Sequence, residues 1–271
     1  MPYYERRIQS GRLLEVEVYF ASRCGRRISR SPNTGETPED QERINERNAQ
    51  KRLRRLILSN FSSANGDLFV TYTYGQPVTE EQAAKGERNL LARLRRLRAK
   101  KGLPELKYIV ITENQGNWHH HIIMNGGLTL EDIRRVWGDR GARIQLSTLD
   151  DTGVCEGLAR YLTQQHKPKR GGQAEDNAKQ PRRKGQRRWH ASRNLAEPTI
   201  KLRRLARLPK GEPKARKGYR LLPDWTVGCD AMGYIYRYCS YLLDAPKARK
   251  NDAASSRERA ADRRRSQPRC L

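Results

Sequence analysis

Between residues 106 and 126 two short apolar runs, LKYIVITE (106–113) and WHHHIIMNG (118–126), are separated by only the four residues NQGN. A parallel crossover needs a dozen or more residues, so runs joined this closely must pair as an antiparallel hairpin. Successive side chains on a strand point to opposite faces, so His119 and His121 share one face and His120, a bulky spacer, turns to the other. The same connection brings Glu113, at the end of the first run, beside the start of the second.

The flanking sequence supplies the rest of a domain. DLFVTYTYG (67–75), after the turn residues Asn65 and Gly66, is rich in β-branched and aromatic residues and predicts a strand. Thr79 and Gln82 form a capping box for a helix that runs to about Lys101 and stops at Gly102 and Pro104. A short helix follows the hairpin, capped by Thr129 and ended at Gly138. ARIQLSTLD (142–150) is a further strand, and GVCEGLARYLTQQ (153–165) a helix with Val154, Leu158 and Leu162 on its buried side. The order β-α-β-β-α-β-α predicts an α+β fold whose antiparallel sheet is covered by helices on one side.

Outside this unit, LEVEVYFAS (14–22) alternates as a strand, and Thr37 and Pro38 open a helix that becomes strongly basic toward Leu53, Leu56 and Leu58. After His166 the chain is dense in charge and reads as a basic loop. Residues 219–243 suggest a late hairpin turning near Gly233. The expected organisation is an N-terminal strand and basic helix (1–62), a core (63–166), a basic loop and C-terminal accessory region (167–245), and a basic, disordered tail (246–271).

The 56 Lys and Arg against 30 Asp and Glu leave a formal charge of +26, which needs a polyanionic partner to neutralise it, and nucleic acid is the commonest. A membrane is disfavoured, because no apolar run reaches about 18 residues and the first residues are polar rather than signal-like. The five scattered cysteines, Cys24, Cys155, Cys229, Cys239 and Cys270, form no C-x-x-C pair. They predict neither a disulfide framework nor a zinc finger but reduced thiols in a cytoplasmic protein. No phosphate-binding G-x-x-x-x-G-K-[ST] loop is present, so nothing suggests a fused ATP-driven helicase.

Two imidazoles on one strand face, with a carboxylate beside them, offer a borderline-hard site with open positions suited to Mg²⁺, Mn²⁺ or Zn²⁺. Glu113 reads equally as a ligand or as an exposed charge at a strand end. A metal there, in a chain this basic, would polarise a phosphodiester, attacked either by water or by a side chain such as tyrosine. Tyr161 lies one helical step off the stripe of Val154, Leu158 and Leu162, which by itself describes boundary packing. Tyr72, Tyr74 and Trp118 suit either base stacking or a core.

Taken in order, NFSSANGDLFVTYTYG, HHHIIMNG and EGLARYLTQQ, with the later SRNLAEP, resemble the motifs of the HUH-superfamily endonucleases. Within that superfamily they look like the rolling-circle replication initiators of small phages and plasmids, because the tyrosine follows the histidines. The resemblance covers roughly residues 40–200. It implies an RRM-like or ferredoxin-like endonuclease core with basic extensions, and His119, His121 and Glu113 as ligands of Mg²⁺ or Mn²⁺. It also implies Tyr161 as the nucleophile that nicks and rejoins single-stranded origin DNA, with Arg160 and Lys167 steadying charge at the phosphate. Two departures stand out. Gln164 occupies a position where close relatives carry lysine, and Gly157 one where some carry a second tyrosine, which points to a single-tyrosine mechanism. Two alternatives remain open, a tyrosine transposase of the small insertion-sequence type and a non-catalytic basic nucleic-acid-binding protein.

Overall fold

The expected hairpin forms, as β4 (Tyr108–Gln115) and β5 (Asn117–Met124), with Glu113 opposite His119 and Ile111 opposite His121. Pairing runs out to Gln115 and Asn117, so the turn is tighter than four residues. In this computed structural model the described residues are 3–21, 38–115, 117–138, 143–149, 152–163, 187–229 and 232–244. The remaining elements are β1 (Tyr3–Ser10), β2 (Leu13–Phe20), α1 (Pro38–Asn60), β3 (Leu68–Thr73), α2 (Glu80–Lys100), α3 (Leu130–Trp137), β6 (Arg143–Thr148) and α4 (Glu156–Thr163). Beyond these lie β7 (His190–Ala191), β8 (Thr199–Leu205), β9 (Tyr219–Leu221), β10 (Thr226–Cys229) and β11 (Ile235–Leu243).

Two antiparallel sheets result. One has the order β6-β3-β5-β4-β7, and the other β10-β11-β2-β1-β8 with β9 on β11. Strand alternation divides the first sheet cleanly. Val70, Tyr72, Val110, Ile122 and Met124 face α2 and α3, where Leu90, Leu94, Ile133 and Trp137 complete one core. Ile109, Ile111 and Ile123 face α1 and α4, packing against Leu53, Ile57, Phe61 and Leu162. Helices therefore cover both faces, not one. The helix of residues 38–60, which reads as an N-terminal extension, carries a leucine stripe that closes the second face.

Both helices on the first face start as their sequences dictate. Thr79 with Gln82, and Thr129 with Asp132, form reciprocal capping boxes. Asp132 also pairs with Lys101 Nζ at 2.6 Å, and these contacts, led by that lysine, pull its carboxyl down to about 2.

The second sheet unites the two ends of the described chain, since β1 and β2 lie between β8 and β11. Strand β1 was not evident from the sequence. Its Glu5 looks like a solvent residue but is buried beside Arg203 of β8, whose Nε lies 3.1 Å away. The turn between β1 and β2 needs Gly11, whose φ is +53° and whose missing Cβ leaves room for the Leu58 carbonyl oxygen of α1. Helix α1 is thus clasped from both sides. Arg54 and Arg55 each reach the fully buried Glu15 of β2 at 2.6 Å, and Tyr238 of β11 donates to it at 3.0 Å. Although burial alone would raise the Glu15 carboxyl pKa, these partners hold it below its ordinary value.

The late hairpin appears as β10 and β11, turning near Gly233, and the TIKLRRL segment as the edge strand β8. The loop expected after His166 falls almost wholly outside the described residues, as do Thr37 and the basic tail. Cys155, Cys229 and Cys239 are free thiols. No described helix is long and apolar enough to cross a membrane.

Candidate metal centre and its tyrosine

Alternation along β4 and β5 sends Glu113, His119 and His121 to the α1/α4 face of the sheet. Their ligand atoms all lie within 4.8 Å of one another. Glu113 Oε1 is 3.0 Å from His121 Nε2 and 3.4 Å from His119 Nε2. Each imidazole is held by its other nitrogen: His119 Nδ1 lies 3.0 Å from the Asn117 carbonyl oxygen, and His121 Nδ1 2.9 Å from Thr71 Oγ1 on β3. A carbonyl oxygen accepts only, so His119 Nδ1 carries a proton, which leaves Nε2 as the nitrogen that could offer a lone pair to a cation beside Glu113. That is the arrangement a histidine ligand requires. Two nitrogens and one carboxylate oxygen suit a divalent cation and leave positions open for a substrate oxygen. The three residues thus form a possible metal-binding triad.

Helix α4 brings a tyrosine to the same place. The ring of Tyr161 stands edge-on to that of His121, with centroids 5.5 Å apart, and is 42% exposed. Burial, and then the nearby Glu113 carboxylate, push its phenol pKa up. The stripe that seats α4 differs slightly from the expected one. Ala159, Leu162 and Thr163 are buried and Leu158 only partly so, while Val154 precedes the helix. Arg160, next to Tyr161, is exposed and pairs with Glu156 one turn earlier at 2.8 Å. Lys167 and Gln164 lie outside the described residues.

The middle histidine is more than a spacer. His120 is fully buried on the opposite face, where its Nδ1 is 2.7 Å from Thr112 Oγ1 and its Nε2 3.1 Å from Tyr74 Oη. The Thr112 hydroxyl donates its one proton to Glu87 Oε2 of α2 at 2.6 Å, so it accepts from His120 Nδ1–H. His120 Nε2 consequently accepts from Tyr74. The chain of bonds ends on β7, with His190 Nδ1 at 2.8 Å from Glu87 Oε1. Burial above all lowers the His120 pKa to about 4, which keeps the ring neutral. Sequence reasoning missed Glu87, Thr112 and His190. Thr112 was discoverable, since it precedes Glu113 and pairs with His120, but Glu87 and His190 are remote in sequence.

Two of the three aromatic residues considered for base stacking are core. Tyr72 and Tyr74 are buried around Trp137, and Trp118 is only partly buried against the same cluster. Gly86 of α2 permits this packing, because a Cβ there would stand 1.7 Å from Tyr74 Oη.

No curated protein and no solved structure matches the chain. Residues 67–166 match the family model for the replication-associated protein ORF2/G2P. That stretch runs from β3 through α4 and contains Glu113, the three histidines and Tyr161. Over those residues the chain is similar to replication-associated proteins, which supports a replication initiator of the Rep type.

Proposed function

We propose that the protein is an HUH-type rolling-circle replication initiator, a metal-dependent nickase and ligase acting on single-stranded DNA at an origin in the cytoplasm of a host cell. The observation that carries this reading is the convergence of Glu113, His119 and His121 with Tyr161 on one sheet face. The β-α-β-β-α-β order, the sheet order β6-β3-β5-β4 and both helices α2 and α3 on one face support a ferredoxin-like HUH core. The similarity of residues 67–166 to replication-associated proteins supports DNA as partner.

In this mechanism Glu113, His119 and His121 would hold Mg²⁺ or Mn²⁺, which would supply positive charge to polarise a non-bridging phosphate oxygen. Tyr161, exposed enough for a DNA strand to reach it, attacks the phosphorus. A tyrosine–phosphorus bond forms and the bond to the 3′ oxygen breaks, leaving a 5′-phosphotyrosine and, once that oxygen is protonated, a 3′-hydroxyl primer. The phosphotyrosine ester retains the energy of the broken bond, so the reverse step reseals the strand. The phenol proton of the exposed Tyr161 passes to solvent as its oxygen attacks, and the departing 3′ oxygen takes one up from solvent, so the exchange balances. Arg160 is available to the phosphate at little cost, because an exposed i,i+4 pair such as that with Glu156 is worth about 0.3–0.5 kcal/mol. Lys167 is the second cation assigned to this role, and a host helicase and polymerase extend the primer.

Incubation with a single-stranded origin oligonucleotide and Mn²⁺ tests the reading. A covalent protein–DNA adduct is expected, abolished by chelation of the metal and by Tyr161→Phe. An adduct that persists in either case refutes it.

A further inference from the structure

An open groove of about 730 Å³ lies between α1 and the segment around β7. Its lining includes Arg52 of α1 together with Arg187, Arg188, Arg193 and Trp189, against one carboxylate, Glu197. Arg52, Arg187 and Arg193 are exposed. Arg188 donates to Glu42 through Nη2 at 3.0 Å, while its Nη1 is buried with no hydrogen-bond partner among the described residues. Trp189 is partly buried against the core that holds Ile109 and Ile111, and it also lines the groove. Guanidinium groups beside an aromatic ring suit a single strand, whose phosphates and unpaired base faces are both accessible; a duplex hides the latter.

The register places this groove relative to the metal triad. Ala191 of β7 is opposite Ile109 of β4, so the two share a face, and Glu113 lies on that same face four residues further along β4. At about 3.3 Å per residue the separation is roughly 13 Å, the length of roughly four nucleotides stacked at 3.4 Å. Because β7 is antiparallel to β4, the step from Ala191 to His190 runs toward the Glu113 end.

We propose that this arginine- and tryptophan-lined groove binds single-stranded DNA, holding the strand a few nucleotides from the phosphate presented to Tyr161. The inference rests on the nickase reading for what lies at the other end of the strand, but the groove can be tested alone.

The test measures binding of a fluorescent 20-nucleotide oligo-dT, in the Tyr161→Phe background so that cleavage plays no part, across a salt series. Arg52→Glu with Arg193→Glu is expected to weaken binding at least tenfold. Loss of two phosphate contacts should also reduce the steepness of log K against log salt by about 1.4, at about 0.7 per contact for a single strand. Arg96→Glu with Lys100→Glu, exposed on α2 over the other face, changes the net charge equally and should weaken binding less than threefold. Trp189→Phe should remove fluorescence quenching by the oligonucleotide while leaving the circular dichroism of the protein intact. Equal loss in the groove pair and the α2 pair, or unchanged affinity and salt slope in the groove pair, overturns the proposal. A groove that binds as expected in a protein that forms no adduct would refute the nickase reading alone.

Discussion

Replacing Thr71 by valine keeps the shape of the side chain and removes the hydroxyl oxygen that lies 2.9 Å from His121 Nδ1. Thr71 and His121 are direct cross-strand neighbours, so no rearrangement of β3 is needed to accommodate the change. When His121 Nε2 gives its lone pair to a metal, Nδ1 must carry the proton, and at 3% exposure no water replaces the lost acceptor. Without metal the ring can instead carry its proton on Nε2 and donate it to Glu113 Oε1, 3.0 Å away, so the penalty falls mainly on the bound state. A buried unsatisfied donor costs about 1–3 kcal/mol, and outer-shell partners of histidine ligands typically account for about 10–100-fold in metal affinity. The two ranges agree, since 10–100-fold is about 1.4–2.7 kcal/mol. Calorimetric titration of Mn²⁺ into the Thr71→Val protein should therefore show a Kd raised about 10–100-fold, with the melting temperature of the metal-free protein nearly unchanged. A Kd within twofold of the parent would show that His121 is not a ligand or that Thr71 does not orient it.

Three further outcomes follow from the packing. Gly86→Ala, a change that would ordinarily stabilise a helix by about 1 kcal/mol, should here lower the urea midpoint, because the new Cβ displaces Tyr74 Oη from His120. A raised midpoint would contradict that placement of Tyr74. Arg54→Leu removes one of the two cations on fully buried Glu15 and should cost about 3 kcal/mol in chemical denaturation, the low end for breaking a buried pair because Arg55 remains. A loss under about 1 kcal/mol would mean that the charge is solvated. The Asp132 carboxyl is depressed to about 2 from an ordinary 3.8. A depressed folded-state pKa stabilises above the unfolded value and loses that contribution as pH falls from about 4 through 2. Thermal melts over that range should show a shallower acid decline in Asp132→Asn than in the parent, and identical slopes would refute the assignment.

The sequence is most readable where chemistry is local. The split of the histidine triplet follows from strand parity and a short turn, and the caps at Thr79 and Thr129 follow from side chains three residues apart. Tyr161 is different. Its helix is legible as an amphipathic stripe, but the approach of that helix to His121 is not, and only the order of the motifs in a family resemblance suggested it. Long-range neutralisation hides the rest. Glu5 gives β1 a solvent-like pattern until Arg203 arrives from the far end of the chain, and Glu87 reads as an ordinary surface acid of α2 until Thr112 and His190 meet it. The cover on the second sheet face was missed for a related reason. The leucines of α1 are outnumbered by arginines that look solvated, yet Arg54 and Arg55 are buried or nearly so against Glu15.

The central claim is that Tyr161 is the residue joined to DNA. Digestion of the adduct formed with Mn²⁺ and an origin oligonucleotide, followed by mass spectrometry of the nucleotide-bearing peptide, addresses it directly. The account predicts a phosphodiester-derived mass on the peptide containing Tyr161 and on no other tyrosine. A modified peptide from any other part of the chain would contradict it.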